Sequence, residues 1–415
     1  MKPETILAIN DLIDHCYVSP HMHAVPPFTT GKLYLLEAAY YGILREDTSV
    51  FDSAVIDILE GNKSINETTS RKAVANQLFE YIHICKRDQK CADSAGIKTG
   101  IVNPLLEQPL ISMEVFHRIH GLSVSASEPI KIGIFTFYNY QAHKKHLIPN
   151  STDSSNDINR LVLESFDDAN TLVSVTLKLR DTQKARELAE GLFDYLQSVF
   201  RYLILFMGEQ WDIGISNYNG LHHDDYIIRK DDKYLSSHSH TSGARHIMDL
   251  QSLLAEYQNN KINPEELIEN VGLLSELSPS KQRVLKSINL LGRAIYDAER
   301  PIGFLQGMMA VEALLQMNTN QLVNQSISAQ ICEYSAFILG GTLENRIAVE
   351  TEVKRLYGVR SALAHGGKLS VESLECKRVL ILCKRLIDRF LTDPNLSEIK
   401  NDKELKAYIQ KMRYS

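Results

Sequence analysis

The segment from Lys354 to Lys368, KRLYGVRSALAHGGK, holds an arginine and a histidine in a helix-like apolar run that ends at two glycines. The guanidinium of Arg360 is a permanent cation that donates hydrogen bonds to phosphate in a bidentate fashion. Histidine is the residue type whose ordinary pKa lies near neutrality, so an imidazole such as that of His365 can accept and release protons. Such a pair can stabilise a phosphoryl group and move a proton beside it, which suffices for attack of an RNA 2′-hydroxyl on the adjacent phosphorus.

The spacing of this pair has a geometric consequence. Arg360 and His365 are five residues apart, so on a regular helix their side chains point about 140° apart. They converge either if the helix frays at Ala364–His365 or if a second subunit supplies the same pair. Ser361 lies four residues before His365 and shares its face. The spacing alone also fits a plain structural reading, in which Arg360 forms a salt bridge with a neighbouring helix and His365 caps the helix end.

The surrounding sequence favours the chemical reading. The segments FLQGMMAVEALLQM, SAQICEYSAFIL and ETEVKRLYGVRSALAHGGK contain an acid within an apolar helix (Glu312), a tyrosine shortly before the arginine (Tyr357), and Arg360-Ser361-x3-His365 followed by glycine. This combination resembles the Apea-like branch of the HEPN superfamily over roughly residues 279–391. The resemblance implies a helical bundle that forms a homodimer in which two R-x4-6-H motifs face one another.

The resemblance also implies an activity and a role for each residue. Many HEPN domains are metal-independent endoribonucleases that leave a 2′,3′-cyclic phosphate and a 5′-hydroxyl, and they commonly act as toxins or antiphage effectors. On this basis we expect His365 to act as general acid and base, and Arg360 to bind the phosphate. Ser361 would orient the histidine or contact phosphate, and Glu312 would pair with Arg360. Tyr357 would stack on a base or pack against the bundle. No cofactor and no metal is expected.

Three cations near the motif are candidates for contacts with the RNA backbone: Lys354, Arg355 and Lys368. Solvated surface charge is the default interpretation of each. The charge distribution agrees with a polyanionic partner, because residues 279–415 hold 20 Lys and Arg against 14 Asp and Glu, whereas residues 1–278 hold 25 against 37. We therefore expect the acidic N-terminal region to restrain the basic site until a trigger ligand or a phage protein binds to it.

Hydrophobic periodicity predicts the elements that position the motif. The first ninety residues, including 30–46, read as helical. Residues 130–140, 171–179 and 211–218 read as strands, and Asp181 is a plausible N-cap of a long helix. The polar stretch His222–His246 reads as a loop or domain junction, and the remainder from residue 244 reads as helical, with first-turn prolines and Gly-Gly helix ends. The fold class is therefore α+β, mostly helical: a mixed α/β sensor or regulatory region over 1–240, then an all-α HEPN bundle over 241–415.

Other function classes find less support in the sequence. It has no Walker A, GxGxxG, HExxH or GxSxG motif, no apolar run of membrane-spanning length and no CxxC pair among its six cysteines. The protein is expected to be cytoplasmic. Two alternatives stay open: a non-catalytic HEPN module for dimerisation or for nucleotide or RNA binding, and a metal enzyme that uses the His222–His246 cluster. A smaller cluster, His15, Cys16, His21 and His23, lacks a standard zinc spacing.

Overall fold

The computed structural model describes residues 2–19, 33–36, 39–43, 49–147, 171–207, 211–215, 221–230, 233–242, 246–258, 261–297, 299–315, 327–367 and 370–414. These residues are mostly helical, with antiparallel sheet in the N-terminal half, so the predicted α+β class is confirmed. They form two compact units, Met1–Val115 with Thr176–Ala189, and Phe116–Val175 with Glu190–Ser415. The expected boundary at 240/241 falls within the second unit, and the regulatory role expected for residues 1–240 stays a prediction.

The first unit is a helical cluster around one apolar core. The rings of Phe51 and Phe79 pack against each other at 4.4 Å between centroids, and Ile9 is fully buried in the same core. Asn62 and Ser70 cap α3 and α4 through side-chain oxygens that accept from the backbone N–H of Ile65 and Ala73. The helices are α1 (Pro3–His15), α2 (Ser49–Glu60), α3 (Lys63–Thr68), α4 (Arg71–Arg87), α5 (Ser94–Ile97), a π-helix (Lys98–Val102) and α6 (Asn103–Glu107).

The helix predicted for residues 30–46 is wrong. Strands β1 (Cys16–Ser19), β2 (Leu33–Leu36) and β3 (Ala39–Ile43) form an antiparallel sheet in the order β1-β3-β2, with Tyr41 opposite both Val18 and Tyr34. The leucines and tyrosines of this stretch fit a helical spacing, but tyrosine favours strands and a neighbouring strand offers backbone partners. Pairing with a distant segment outweighs local periodicity here.

A four-stranded sheet has the order β4-β8-β7-β6. In this order the strands are Ile111–Ile119, Thr171–Leu179, Phe135–Asn139 and Ile130–Ile132. The strands predicted at 130–140 and 171–179 are confirmed, the former as a hairpin that turns at Gly133, whose φ of 58° favours glycine. Phe135 lies opposite Val175, and both are buried. Strand β4 and the short parallel pair β5–β11 were not predicted. The strands are β4 (Ile111–Ile119), β5 (Leu122–Ser123), β6 (Ile130–Ile132), β7 (Phe135–Asn139), β8 (Thr171–Leu179) and β11 (Met248–Asp249).

Two further expectations about strands and loops are corrected. The loop predicted for His222–His246 is largely an antiparallel hairpin of β9 (Leu221–Lys230) and β10 (Lys233–Ser242). Its polar composition indicated a loop, but the backbone pairing of ten residues on each side is indifferent to side-chain polarity. The strand predicted for 211–218 is reduced to isolated bridges at Trp211 and Gly214, and residues 216–218 lie outside the described residues.

From residue 250 onward every described element is a helix. As predicted, Asp181 caps the helix that begins at Thr182, because its carboxylate accepts a hydrogen bond from the N–H of Lys184 at 2.9 Å. Asp249 caps the helix that begins at Leu250 and accepts a hydrogen bond from the N–H of Ser252 at 3.0 Å. The predicted first-turn prolines Pro264 and Pro279 begin their helices. The helices are α7 (Tyr140–Leu147), α8 (Thr182–Ile204), α9 (Leu250–Gln258), α10 (Pro264–Gly272), α11 (Pro279–Tyr296), α12 (Arg300–Leu315), α13 (Ile327–Leu339), α14 (Leu343–Ala364), α15 (Ser373–Thr392), α16 (Pro394–Ser397) and α17 (Asp402–Tyr414).

The helices that carry the motif belong to one packed bundle. The hydroxyl of Ser287 on α11 donates to the carbonyl of Ala310 on α12 at 2.9 Å and lies 3.6 Å from Sγ of Cys383 on α15. Gly307 of α12 lies against Val379 of α15. Helices α11, α12 and α15 therefore form a core on which α13 and α14 are placed. No helix among the described residues is long and apolar enough to cross a bilayer.

Candidate functional site

Helix α14 carries the arginine and the histidine and ends where the glycines predict. It is regular from its N-cap Thr342 through Ala364, and His365 is the C-cap with φ −101° and ψ 11°. The N–H of His365 still donates to the carbonyl of Ser361 at 3.1 Å, and Gly366 then turns the chain with φ 72°. Because the helix keeps its geometry up to Ala364, the expected angle of about 140° between Arg360 and His365 holds within one chain.

Only a narrow stripe of α14 is buried. Val353 and Leu356 are fully enclosed, whereas most other residues of the helix are exposed or half-buried. Residues Lys354, Gly358, Ser361 and His365 follow one another at intervals of three or four, so they share one exposed face. A Cβ placed on Gly358 meets no atom within 4 Å. This face is open to a ligand or to another chain, and the histidine lies at its end.

Arg360 faces the bundle, and its position is fixed by two residues that the sequence singled out. Its Nε lies 3.2 Å from Oε1 of Glu312 on α12. The hydroxyl of Tyr357, one turn earlier on α14, donates to the same Glu312 oxygen at 2.9 Å. The guanidinium carbon lies 5.6 Å from the centroid of the Tyr357 ring, within the range of a cation–π contact. Glu312 thus organises both partners, as the sequence predicts for the Glu312–Arg360 pair.

The chemistry of this triad depends on its partial burial. Burial together with the hydrogen bond to the Glu312 carboxylate raises the pKa of Tyr357 to about 12, so the phenol stays protonated and donating at neutral pH. The Glu312 side chain is 14% exposed and that of Arg360 is 32% exposed. A guanidinium has five N–H donors, more than one carboxylate oxygen can accept, and a third of this side chain meets solvent. Arg360 is therefore held in place while it retains donors for a phosphate.

The remaining two motif residues lie at the open end of the helix. Ser361 and His365 are exposed, and neither side chain has a hydrogen bond or an ion pair within the part of the chain that the structure describes. Ser361 is linked to the histidine only through the backbone bond from the His365 N–H to its carbonyl. The proposed contact between the hydroxyl and the imidazole is absent from the described contacts. Both side chains are therefore accessible from solvent.

The three candidate RNA-contacting cations have different surroundings. Arg355 makes two 3.0 Å hydrogen bonds to Glu352 and lies 3.5 Å from Glu375, and its bond to Glu352 raises its pKa further. Lys354 is exposed on the same face as His365. Lys368 lies outside the described residues. Arg355 therefore links α14 to α15, whereas Lys354 shares the exposed face of His365.

One part of the site was missed by the sequence analysis. Glu352 binds Arg355 and also lies 3.6 Å from Nη1 of Arg378, and Glu375 joins the network from α15. The pair Glu352–Arg355 has the i, i+3 spacing of a helical ion pair, which is a readable signal. The contact between Arg355 and Glu375 joins residues twenty positions apart, and no local pattern indicates it. This network keeps α14 against the start of α15.

Neither histidine cluster yields a metal centre within the described residues. No group of three or more potential ligands is assembled there. The side chains of residues 222–240 lie outside the described residues, as do His21 and His23. His246 is described and stacks on Trp211 at 5.0 Å between ring centroids.

Comparisons with protein-family models, with curated proteins and with solved structures gave no match. The reading of the site therefore rests on its residues and their geometry.

Proposed function

We propose that this protein is a metal-independent endoribonuclease of HEPN type that cleaves RNA through attack of the 2′-hydroxyl on the adjacent phosphorus. The observation that supports the proposal most is the arrangement of Arg360. An arginine that is fixed by Glu312 and Tyr357 but still a third exposed is a pre-oriented phosphate-binding group. An exposed histidine about one and a half turns away on the same helix, without a side-chain partner among the described residues, supplies proton transfer.

In this mechanism each residue has one task. Arg360 donates hydrogen bonds to the non-bridging phosphoryl oxygens, whose negative charge increases as the new O–P bond forms. A neutral His365 removes the proton from the 2′-hydroxyl, and a protonated His365 donates a proton to the departing 5′-oxygen. The products are a 2′,3′-cyclic phosphate and a 5′-hydroxyl. Ser361 and Lys354, on the same exposed face as the histidine, contact the RNA backbone.

The mechanism requires two copies of the chain. One histidine cannot be base and acid in the same step, and Arg360 points about 140° away from the histidine of its own helix. A homodimer in which the exposed face of α14 from one chain lies beside Arg360 of the other chain supplies two of each residue. This face ends at His365 and contains Gly358, beside which a neighbouring backbone has room to approach.

The test is cleavage of a mixed RNA pool in the presence of EDTA. We expect wild type to produce 2′,3′-cyclic phosphate ends. A phosphatase identifies them, because it removes the terminal phosphate only after the cyclic ester has been opened. His365→Ala should lose at least about 100-fold in rate, the usual size of an acid–base contribution. Lys286→Gln, an exposed charge change elsewhere in the bundle, is the matched control and should leave the rate unchanged.

A non-catalytic module that binds RNA or nucleotides is the second candidate. The observation in its favour is the divergence of Arg360 and His365 within one chain, because a monomer presents a phosphate-binding arginine without a proton-transfer partner. The same assay separates the two functions. RNA binding without cleavage, lost in Arg360→Gln and unaffected in His365→Ala, supports the binding module and contradicts the ribonuclease.

We further propose that the ribonuclease is a toxin or antiphage effector whose basal cleavage is slowed, but not abolished, by the acidic region 1–240 until a trigger ligand or phage protein binds there. The charge difference between the acidic and basic portions supports this proposal. Cells that express the full chain should show fragmented RNA after phage infection, and cells that express His365→Ala should not. Fragmentation before infection that equals the level afterwards would contradict restraint.

A further inference from the structure

A cavity of about 410 Å³ lies in the second unit, away from Arg360 and His365. It lies between the end of α13, the middle of α15 and the last turn of α17. Its apolar wall consists of Phe337, Ile338, Leu339 and Met412. The volume falls within the range of small-molecule sites, roughly 300–1,000 Å³.

The polar wall of the cavity is positively charged. Arg385 and Arg389 are one turn apart on α15, so both guanidiniums emerge on the same side. Arg389 is fixed, since its Nε donates to the carbonyl of Ile338 at 3.3 Å and its Nη2 donates to Asp393 at 2.7 Å. Arg385 is exposed and has no partner among the described residues. The cavity therefore offers one rigid and one available guanidinium.

The acid in this wall does not neutralise the arginines. The Asp388 carboxylate accepts a hydrogen bond from the Tyr202 hydroxyl at 2.6 Å and lies 3.0 Å from Nζ of Lys384. Both partners are buried on the inner side of α15, at 0% and 4% exposure. Lys384 thus balances Asp388 and Asp393 balances Arg389, so among the described residues of this wall Arg385 leaves one positive charge unbalanced towards the cavity.

The mouth of the cavity is shaped by two glycines with opposite surroundings. A Cβ on Gly340 would lie 2.7 Å from the carbonyl oxygen of Ala336 and from Cγ of Arg346, so this position is closed. A Cβ on Gly341 meets nothing within 4 Å and points to open space. Arg346 stiffens this wall, because it stacks 4.8 Å from the Phe337 ring centroid and donates to the carbonyl of Gly340 at 3.2 Å.

We propose that this cavity is a binding site for a small amphipathic anion, a compound with an aromatic or branched apolar body and one phosphate or carboxylate group. The body packs against Phe337, Leu339 and Met412, and the anionic group is held by Arg385 and Arg389. The site is separate from the proposed ribonuclease centre and does not depend on it. Its loop, residues 340–342, leads directly into α14, so an occupant contacts the segment from which the motif helix begins.

The probe is 1-naphthyl phosphate, titrated into the full chain by isothermal calorimetry. We expect one site per chain with a Kd below about 1 mM. Inorganic phosphate alone and 1-naphthol alone should each bind at least about tenfold more weakly, because each satisfies only one wall of the cavity. Phosphate binding as tightly as the probe would overturn the proposal in favour of a plain anion site, and absence of saturable probe binding would overturn it outright.

Two variants locate the binding. Gly341→Phe adds a large side chain at a residue that lines the cavity and whose φ is outside the left-handed region, and it should weaken probe binding at least about tenfold without lowering the unfolding temperature. Arg385→Gln changes an exposed side chain that lines the cavity and should weaken binding at least about tenfold. Lys286→Gln is the charge-matched control and should bind as wild type. His365→Ala should also bind as wild type, which separates this site from the proposed catalytic one. Unaltered binding in both cavity variants would place the probe elsewhere and refute the proposal.

Discussion

At the level of single residues, the contact that distinguishes this site is the shared Glu312 oxygen. It receives the Tyr357 hydroxyl at 2.9 Å and Nε of Arg360 at 3.2 Å, so one carboxylate fixes two side chains of α14. Arg360 balances the charge of this half-buried carboxylate, and the Tyr357 hydroxyl adds a second hydrogen bond to the same oxygen. The tyrosine therefore acts on the arginine through Glu312, as a positioning residue.

The pKa of Tyr357 reports this contact. In Glu312→Gln the negative acceptor is gone, so we expect the pKa of Tyr357 to fall from about 12 towards its ordinary value while burial still keeps it raised. Tyrosine ¹³Cζ shifts measured against pH give this value, with Tyr357→Phe identifying the signal. The cleavage rate should fall roughly tenfold because Arg360 loses its anchor. A Tyr357 pKa that does not move would show that Glu312 is not its acceptor.

The same residue makes stability depend on pH. The unfolded chain releases the tyrosine proton near pH 10, whereas the folded chain holds it until about pH 12. Between these values the unfolded state binds fewer protons, so the contribution of Tyr357 to stability is lost as the pH rises from about 10 to about 12. Tyr357→Phe should flatten the decrease of the unfolding temperature over this range relative to wild type. An unchanged slope would argue against the raised pKa.

At the level of elements, a buried lysine joins α15 to α8 and α9. Nζ of Lys384 lies 4.2 Å from the Tyr202 ring centroid, 5.9 Å from that of Tyr257 and 3.0 Å from Asp388. Burial lowers its pKa, although Asp388 opposes this effect. Asp388→Ala leaves this ammonium buried without a counter-ion and should cost about 3 kcal/mol. Lys384→Met should cost less, because the one-third exposed Asp388 keeps water and Tyr202 as partners. Calorimetric unfolding of both variants checks the order, and a larger loss in Lys384→Met would refute it.

Helices α8 and α11 approach each other closely at Gly292. A Cβ there would lie 2.5 Å from Cβ and 2.6 Å from Cα of Ser198, so Gly292→Ala forces the helices apart and should destabilise the protein by about 1 to 3 kcal/mol. Gly191 in α8 is the matched control, since a Cβ there meets nothing within 4 Å. Gly191→Ala should stabilise by about 0.5 to 1 kcal/mol through helix propensity. Equal effects of the two substitutions in thermal unfolding would contradict the close approach.

The elements also show how far the sequence leads. The helices of the bundle were predictable because their apolar spacing, first-turn prolines and Gly-Gly ends agree with one another, as at Pro279 and Gly340. The Glu312–Arg360 pair was predictable from the family resemblance, not from spacing. Strands β2, β3, β9 and β10 were not, because their stability comes from partners distant in the chain. For the same reason the sequence did not reveal that Arg355 joins Glu375 or that Asp388 joins Tyr202.

At the level of the whole molecule, the division into units bears on how restraint is tested. The expected regulatory region 1–240 includes α8, yet Tyr202 and Ser198 of that helix belong to the second unit, where they contact Asp388 and Gly292. A fragment that begins at residue 241 loses these buried contacts, so its inactivity would report a damaged core as readily as an absent catalyst. Experiments on this protein therefore require the full chain with point substitutions.

The requirement for two chains is testable on the full-length protein by mixing subunits. When wild type and His365→Ala exchange freely at equal amounts, a twofold-symmetric dimer distributes so that about a quarter of the dimers are wild type in both chains. If one histidine acts as base and the other as acid, only those dimers cleave, and the activity should fall to about a quarter of that of the same total amount of wild type. Independent subunits would retain about half.

Lys286→Gln mixed in the same way should retain full activity, which controls for exchange itself. Retention of half the activity after verified exchange would show that each chain cleaves alone, and the paired mechanism would have to be abandoned.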